Sequence, residues 1–157
     1  MNTTAFDPSS RLWLYTSSRN FSDAECKEIK SLLAEFAAGW TAHDKKLKAT
    51  GSIEHGRVVA LMVDESQAGA SGCSIDKSVH FLRDLGVKYD TDFFVRNLVG
   101  VKMNGTWEWV DFRSIPTLLQ EGKISSDTMV LDNTIQTAGS LNRWEKRLSD
   151  TWLNRYL

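Results

Sequence analysis

The sequence contains six consecutive apolar residues, Val58 to Val63, and this run constrains the fold more than any other feature. An apolar run without polar alternation is typical of a strand that is covered on both faces. We therefore expect this strand in the middle of a sheet. A second strand is predicted from Leu47 to Ile53, and Glu54-His55-Gly56 predicts the turn that joins the two strands.

The clearest helix signal begins at Ser22. Ser22 and Glu25 have the spacing of a capping box, in which each side chain bonds the other residue's backbone N–H. Phe21 and Cys26 occupy the two positions of a hydrophobic staple around the same start. Apolar residues then recur at steps of three and four. This spacing predicts a helix with one buried face that ends near residues 39–40.

The remaining elements are predicted from shorter patterns. A second amphipathic helix is expected at about Ile75 to Leu85, with Gly86 as its C-terminal stop. Asn104-Gly105 is the dipeptide that a type I′ turn prefers, so it predicts a hairpin between two strands. The other predicted elements are a strand at Arg11–Tyr15, a short helix at Ile115–Gln120, a strand at Thr128–Leu131 and a C-terminal helix over Leu141–Tyr156.

The order of these elements mixes strands and helices without the regular alternation of a parallel sheet. It predicts an α+β fold with a mainly antiparallel sheet, two long amphipathic helices and a C-terminal helix. A chain of 157 residues has the usual size of one domain, so a single domain is expected over residues 11–157. Residues 1–10 are mostly polar and are predicted to form a flexible tail.

The charge balance argues against two classes of partner. Nineteen basic and twenty acidic residues give a formal net charge of −1, whereas nucleic acids and anionic membranes are bound by clustered Lys and Arg. No apolar run approaches the roughly 18 residues of a membrane-spanning helix, and the polar N-terminus lacks the pattern of a signal peptide. We therefore expect neither nucleic acid nor a membrane as a partner.

The cysteines indicate the compartment. Cys26 and Cys73 are the two cysteines of the chain, and they form no CxxC pair. A domain of this size folds without a disulfide, and cytoplasmic thiols are kept reduced. We expect a cytoplasmic protein with two free thiols.

One segment combines several features of a ligand site. Ser71, Gly72, Cys73, Ser74 and Asp76 lie where a loop of small residues is expected to enter the second helix. The start of a helix presents unpaired N–H groups and the positive end of the dipole, so it favours an anion. The same field favours the thiolate form of a cysteine. These five residues are the predicted site for a small anionic ligand, with Cys73 as the catalytic candidate if the protein is an enzyme.

The same segment also has an ordinary structural explanation. Small residues and Ser are favoured where a strand turns into a helix, and Asp is favoured in the first helical turn by the dipole alone. Buried cysteine is common as well. At the level of sequence, the structural and the functional explanation are both open.

A nucleotide site is not expected in this segment. Residues 71–78 align with the phosphate-loop pattern GxxxxGK[ST], and Lys77 and Ser78 match it. Ser71 and Asp76, however, stand where the two glycines belong. A carboxylate at Asp76 would face the phosphates that the backbone has to hold, so the pattern does not predict an ATPase.

The phrase Ala70-Ser71-Gly72-Cys73-Ser74-Ile75-Asp76 resembles the most specific part of a family of short bacterial proteins. The likeness covers most of the chain and includes a series of mainly aromatic and polar residues near the N-terminus. These are Trp13, Tyr15, Arg19, Phe21, Ser22, Glu25, Phe36, Trp40 and His43. Some genomes label members of that family as transporter ATPases, a label that the replaced glycines do not support. The resemblance implies a bacterial protein and no particular substrate.

Residues 107–131 are similar in pattern to small modules of the GYF kind, which bind proline-containing peptides. The shared features are a strand with tryptophans, a short helix, Glu121-Gly122-Lys123-Ile124 and Asp127-Thr128. Trp107 and Trp109 point to the same face of the predicted strand. The resemblance implies a peptide-interaction surface on this strand, whereas large aromatic side chains are more often part of a core.

The histidines do not indicate a metal site. His43, His55 and His80 lack helical i,i+4 spacing, and no cysteine pair accompanies them. This pattern does not match the ligand spacing of zinc sites, so no metal and no cofactor are expected.

These observations predict a small cytoplasmic binding or accessory protein. Its site would be an anion or small-ligand site at the Ser71–Asp76 segment. Two alternatives stay open: a thiol enzyme or redox sensor that depends on Cys73, and a peptide-interaction module that uses the strand with Trp107 and Trp109.

Overall fold

The computed structural model describes residues 5–157. The strands are β1 (Arg11–Thr16), β2 (Thr41–Ala42), β3 (Lys45–Lys46), β4 (Lys48–Glu54), β5 (Val58–Asp64), β6 (Leu98–Met103), β7 (Thr106–Asp111), β8 (Met129–Leu131) and β9 (Glu145–Arg147). The α-helices are α1 (Asp23–Gly39), α2 (Gly72–Lys88) and α3 (Ile115–Gln120). Strand pairs among these elements are antiparallel. The predicted α+β class is confirmed.

The described residues cluster into two compact units. Unit 1 contains residues 5–95 and Gln136–Gly139, and unit 2 contains Arg96–Ile135 and Ser140–Leu157. The single domain that the sequence indicates over residues 11–157 stays a prediction.

The predicted tail, residues 1–10, is described only from residue 5 onward. In this part, the carbonyl of Pro8 accepts a hydrogen bond from the N–H of Gly139 at 2.8 Å. The carbonyl of Ser10 accepts one from the N–H of Ala138 at 2.9 Å, and Ser10 is buried. Residues 1–4, which the tail prediction also covers, lie outside the described residues.

The sheet of unit 1 has the order β1-β5-β4, so the apolar run forms its central strand as expected. All seven residues of β5 are buried. The joining turn has positive φ at His55 and Gly56, 55° and 62°. Helix α1 packs closely on β4, because a Cβ atom at Gly51 would lie 3.2 Å from the Cβ of Leu33.

The start of α1 confirms the predicted capping box. The Ser22 Oγ accepts a hydrogen bond from the Glu25 N–H at 3.1 Å, and the Glu25 carboxylate accepts one from the Ser22 N–H at 3.0 Å. The helix buries Ile29, Leu33 and Ala37. This face belongs to the core of unit 1, which also includes inward side chains of β5 and α2.

Helix α2 is longer than predicted at both ends, and Gly86 is not its C-terminal stop. The helix runs to Lys88, and Gly86 lies inside it, buried. The Thr91 N–H donates to the Gly86 carbonyl at 2.9 Å. A Cβ atom at Gly86 would lie 2.7 Å from the Thr91 carbonyl oxygen. The glycine is therefore required by a close backbone approach and not by a left-handed cap.

Unit 2 contains a four-stranded sheet with the order β7-β6-β8-β9. The predicted type I′ turn is confirmed, because φ is 52° at Asn104 and 77° at Gly105. One face of this sheet contributes Val99, Val101 and Val130 to a core that includes Ile115 of α3.

The structure differs from the prediction over residues 141–156. An α-helix is expected there, but the chain forms 3₁₀ helices at Ala138–Arg143, Leu148–Asp150 and Trp152–Tyr156, with β9 between the first two. The reason is strand pairing: Arg147 pairs with Met129, and the Leu148 N–H donates to the Thr128 carbonyl at 2.8 Å. These bonds hold the segment extended at the point where a helix would have continued.

Candidate functional site

The predicted ligand segment forms the N-terminal end of α2. Ser71 is the N-cap residue, with extended backbone at φ −89° and ψ 167°. Its Oγ accepts a hydrogen bond from the Ser74 N–H at 3.2 Å, and the Ser74 hydroxyl donates to the Ser71 carbonyl at 2.7 Å. Because Ser71 supplies the cap, the helix begins at Gly72 and not near Ile75 as predicted. Cys73 consequently lies inside the first turn.

The five predicted site residues differ in their access to solvent. Gly72, Cys73 and Asp76 are exposed, and Ser71 is half-buried. Ser74 is only 1% exposed, and its N–H, hydroxyl and carbonyl all bond within the protein. The part of the segment that faces solvent therefore consists of Gly72, Cys73 and Asp76, while Ser74 is buried.

Trp40, at the C-cap of α1, fixes the start of α2. Its indole N–H donates to the Ser74 carbonyl at 2.8 Å, and the residue is 2% exposed. The Trp40 ring lies 5.1 Å from the ring of Phe36 and 6.1 Å from that of Trp13. The prediction that Trp40 belongs to the core is confirmed. Its hydrogen bond to α2 joins residues 34 apart in sequence, so no local pattern reveals it.

A carboxylate of the protein itself is bonded to the backbone amide just before α2. Glu65 Oε2 accepts a hydrogen bond from the Ala70 N–H at 2.9 Å. A Cβ atom at Gly69 would lie 3.2 Å from this oxygen, so the glycine leaves room for the carboxylate. Arg11 Nε lies 3.7 Å from the other Glu65 oxygen. By sequence alone Glu65 is only a turn acid, and this contact shows that the amide of Ala70, just before the predicted segment, holds a carboxylate oxygen of the protein itself.

The alignment with the nucleotide phosphate loop falls on helix. Residues 72–78 belong to α2, whereas a phosphate loop wraps its backbone around the phosphates before the helix begins. Lys77 is exposed, and its Nζ lies 3.4 Å from the Thr41 hydroxyl. This geometry adds to the sequence argument against an ATPase.

The two thiols differ in environment. Both cysteines are free, with Cys73 exposed and Cys26 half-buried. Burial raises the pKa of the Cys26 thiol, and the nearby acids Asp23 and Glu25 raise it further. Cys73 is therefore the more accessible thiol. Within residues 5–157, no three His, Cys, Asp or Glu side chains come together as possible metal ligands.

A surface that the sequence does not predict lies in unit 2. We call it the C-terminal aromatic surface and define it by Phe112, Trp152, Arg155 and Tyr156. Trp152 stands edge-on to Phe112, with ring centres 5.4 Å apart at 75°, and its ring centre lies 6.5 Å from that of Tyr156 at 64°. The Arg155 guanidinium lies 5.8 Å from the Trp152 ring centre and 5.0 Å from that of Tyr156.

Trp152 is more exposed than the sequence indicates. Its helical spacing predicts a core residue, but 39% of its surface is accessible. The neighbouring Leu153 is buried in its place, at 1% exposure, because the segment is a 3₁₀ helix. The Thr151 side chain caps this helix by accepting from the Leu153 N–H at 3.2 Å.

Trp107 and Trp109 are half-buried on β7. They lie opposite Lys102 and Gly100 of β6, on the sheet face that does not carry Val101. The Lys102 ammonium lies 5.7 Å from the centre of the Trp107 ring. The two tryptophans share a face as predicted, and their use as a peptide platform stays a prediction.

Comparison with known proteins adds no family to this description. The chain matches no protein-family model, no curated protein and no solved structure. Among the helices of residues 5–157, none has the length and apolar character that a bilayer crossing requires. The function therefore has to be argued from the surfaces themselves.

Proposed function

We propose that the protein is a small cytoplasmic binding or accessory protein that engages a peptide segment through the C-terminal aromatic surface. The observation that carries this proposal is the exposure of Trp152 beside two further aromatic rings and an arginine. Tryptophan, tyrosine and arginine are the side chains that most often dominate the energy of protein interfaces. The two free thiols agree with a reducing compartment.

The two neighbours of Trp152 in the chain fix its outward position. Leu153 anchors the 3₁₀ helix in the core of unit 2, and Thr151 caps it. Trp152 is consequently held outward between two anchored neighbours. A side chain that is already held in place loses little conformational freedom when a ligand binds, which favours affinity.

The ring arrangement favours a proline-containing ligand. Phe112 and Tyr156 each meet Trp152 at a steep angle, so the three rings do not form one flat face. Extended polyproline segments dock into aromatic-lined grooves, and their stiff backbone loses little entropy on binding. The resemblance of residues 107–131 to GYF-type modules implies the same ligand class for β7, and of the C-terminal aromatic surface it includes only Phe112.

The test uses nuclear magnetic resonance of the six tryptophan indole N–H groups. The Trp152 signal is assigned from its loss in Trp152→Phe. The probe is a proline-rich decapeptide that is acetylated and amidated, with a Gly/Ser peptide of equal length as the control. Binding should shift the Trp152 signal in a saturable manner, and the control peptide should leave it unchanged.

A matched pair of variants sharpens this test. Trp152→Ala should weaken binding about thirtyfold, the effect of losing a hot-spot side chain worth about 2 kcal/mol. Lys27→Ala removes an exposed side chain of α1 in unit 1, and it should leave binding unchanged. Equal loss in both variants, or no shift of the Trp152 signal, would refute the proposal.

The exposed start of α2 supports a second candidate function, anion binding coupled to the Cys73 thiol. Its specific observation is that Gly72 and Cys73 present an exposed first helical turn, while Glu65 shows a carboxylate held on the amide of Ala70. The helix dipole favours an anion there by roughly 0.3–1 kcal/mol at an exposed end. A redox sensor or thiol enzyme would use the same position.

This second candidate is tested by alkylation kinetics in Cys26→Ser, which leaves Cys73 as the one thiol of the chain. Added phosphate or sulfate should slow alkylation by iodoacetamide, whereas chloride at matched ionic strength should not. An equal effect of all three salts would show simple screening and would eliminate the anion site.

A further inference from the structure

An open groove of about 770 Å³ lies in unit 1, between the last turns of α2 and residues 90–94. Its volume falls within the roughly 300–1,000 Å³ of small-ligand sites. The helix contributes Leu82 and Val87 to the lining, and the following segment contributes Phe93 and Phe94. Leu82 and Phe93 are buried, so the accessible apolar lining of the groove comes from Val87 and Phe94.

Two apolar side chains of the groove lining are accessible to a ligand. Val87 is 85% exposed, although it is a β-branched apolar residue on a long helix. Phe94 is half-buried and meets the Tyr15 ring edge-on, with ring centres 5.7 Å apart. An apolar ligand body that covers Val87 and Phe94 would remove this surface from water.

Charges of opposite sign line the groove. Arg83 is exposed, and its guanidinium lies 5.7 Å from the centre of the Phe94 ring. Asp90, which follows the end of α2, and Asp92 supply negative charge. Among residues 5–157, the ion pairs of the structure include none of these three side chains.

The acidic part of the lining has further negative character. Asp90 directly follows the C-cap of α2, where the helix dipole is negative and attracts cations. Arg19 is one cation that interacts electrostatically with Asp90, and its guanidinium is already bonded to the Glu25 carboxylate and to the Tyr89 carbonyl. One Asp92 oxygen accepts from the Phe94 N–H at 2.7 Å. This part of the lining is suited to a ligand ammonium group.

We propose that this groove binds a short linear peptide by its two charged termini, independently of the C-terminal aromatic surface. The peptide carboxylate pairs with Arg83, and its ammonium group pairs with Asp90 and Asp92. Five residues of helix, roughly 8 Å along the axis, lead from Arg83 to Lys88, and Asp90 follows two residues later. Three extended residues span roughly 10 Å, so a tripeptide with an apolar central side chain is the ligand length that we expect.

The test measures binding of Ala-Leu-Ala by calorimetry, in the free, N-acetylated and C-amidated forms. The free peptide should bind, and each blocked form should bind about tenfold more weakly, because it loses one charge-assisted contact. Free leucine, which is too short to reach both charges, should bind more weakly than the tripeptide. Equal affinity for free and blocked tripeptides, or no binding of the free form, overturns the proposal.

Charge variants assign each end of the peptide. Arg83→Gln should bind the free and the C-amidated peptide equally, because the partner of the carboxylate is gone. It should still bind the free peptide more tightly than the N-acetylated one. Asp90→Asn should reduce the preference for the free over the acetylated form while leaving the effect of amidation intact. Asp84→Asn, which alters an exposed acid of the same helix outside the groove lining, should change neither preference.

These preferences separate the proposal from a loss of structure, since an unfolded or distorted groove weakens all peptide forms alike. Arg83→Lys keeps the positive charge and should keep the preference for a free carboxylate. Uniform weakening of every form in Arg83→Gln and Asp90→Asn would reject the assignment of the two ends.

Discussion

The two ends of α2 differ in backbone conformation and in the charge that lies beside the helix dipole. At its start, Ser71 caps the helix, Trp40 bonds the Ser74 carbonyl and Glu65 holds the preceding amide, so local groups are satisfied there. At its end, Asp90 adopts φ 50°, a region that favours glycine, and places a negative charge beside the negative pole of the dipole. Deviations of this kind concentrate at functional sites. The last carbonyls of the helix are nevertheless satisfied, because the N–H groups of Tyr89, Asp90 and Thr91 donate to those of Leu85, Val87 and Gly86. The comparison indicates that both ends are capped and that the C-terminal end alone combines a strained residue with an unfavourable charge beside a groove.

The largest effect is expected from Gly86→Ala. The added Cβ would lie 2.7 Å from the Thr91 carbonyl oxygen, so the segment that follows α2 has to move. We expect a loss of roughly 1–3 kcal/mol in the free energy of unfolding, measured by urea denaturation. Gly72→Ala at the other end of the helix is the matched control, because a Cβ there contacts nothing within 4 Å. Equal effects of the two substitutions would remove the contrast between the ends.

The next effect concerns the cap. Ser71→Ala removes the acceptor for the Ser74 N–H and should lower the free energy of unfolding by about 1 kcal/mol. Ser71→Asp keeps an acceptor at the same position and should restore most of the loss. If both variants are as stable as the original protein, the start of α2 is held by Trp40 alone and the cap is incidental.

A gain in stability is expected from Asp90→Gly. Glycine adopts positive φ without strain and removes the charge at the helix end, so the free energy of unfolding should rise by about 0.5 kcal/mol. Asp84→Gly, inside the same helix, should instead lower it by roughly 0.3 kcal/mol, the difference between the helix propensities of the two residues. A destabilised Asp90→Gly would mean that the Asp90 side chain contributes to the fold, and this result would weaken the contrast. If the groove binds peptide ammonium groups, the stabilised variant should also bind Ala-Leu-Ala less well.

The smallest effect is a pH dependence at the start of the other long helix. The Arg19 guanidinium, bonded to Glu25, lowers the pKa of that carboxyl to about 2. Because the folded pKa lies below the unfolded one, this contact stabilises the protein above pH 4.5 and is lost as pH falls toward 2. The melting temperature should therefore fall less between pH 5 and pH 2 in Glu25→Gln than in the original protein. An equal fall in both would show that solvent already screens this exposed pair.

The elements that the sequence predicts well are those set by neighbours in the chain. The capping box at Ser22 and Glu25, the type I′ turn at Asn104-Gly105 and the buried run from Val58 to Val63 each depend on a few adjacent residues. Local hydrogen bonds and uniform burial leave little room for tertiary contacts to override such signals.

The predictions that differ from the structure are those in which a distant contact decides the outcome. Gly86 is the residue type that commonly follows the end of a helix, but here a glycine is needed because the Thr91 backbone approaches it closely. The spacing of Leu141 to Tyr156 is helical, but pairing with β8 draws residues 145–147 into a strand. Trp152 is then exposed and Leu153 buried, the reverse of the predicted pattern.

Of the candidate sites, one can be predicted from the local sequence, and the other two depend on contacts between distant residues. An exposed Cys73 near the start of a helix follows from the local sequence, although the cap at Ser71 shifts that start by three residues. The groove brings Ser18 together with residues 82–94, and the C-terminal aromatic surface joins Phe112 to Trp152. Neither combination has a spacing or motif in the sequence, so both require the fold.

The pairing of β1 with β5 has a consequence for synthesis on the ribosome. Arg11 pairs with Val63, whereas β4 reaches β5 through the three-residue turn of His55, Gly56 and Arg57. At roughly 5–20 residues per second, β1 waits about 3–10 s after it is made before its partner strand exists. During that interval Leu12, Trp13 and Leu14 have no sheet to join. The hairpin of β4 and β5 can close quickly once it is made, so docking of β1 is expected to be the late step of unit 1 folding.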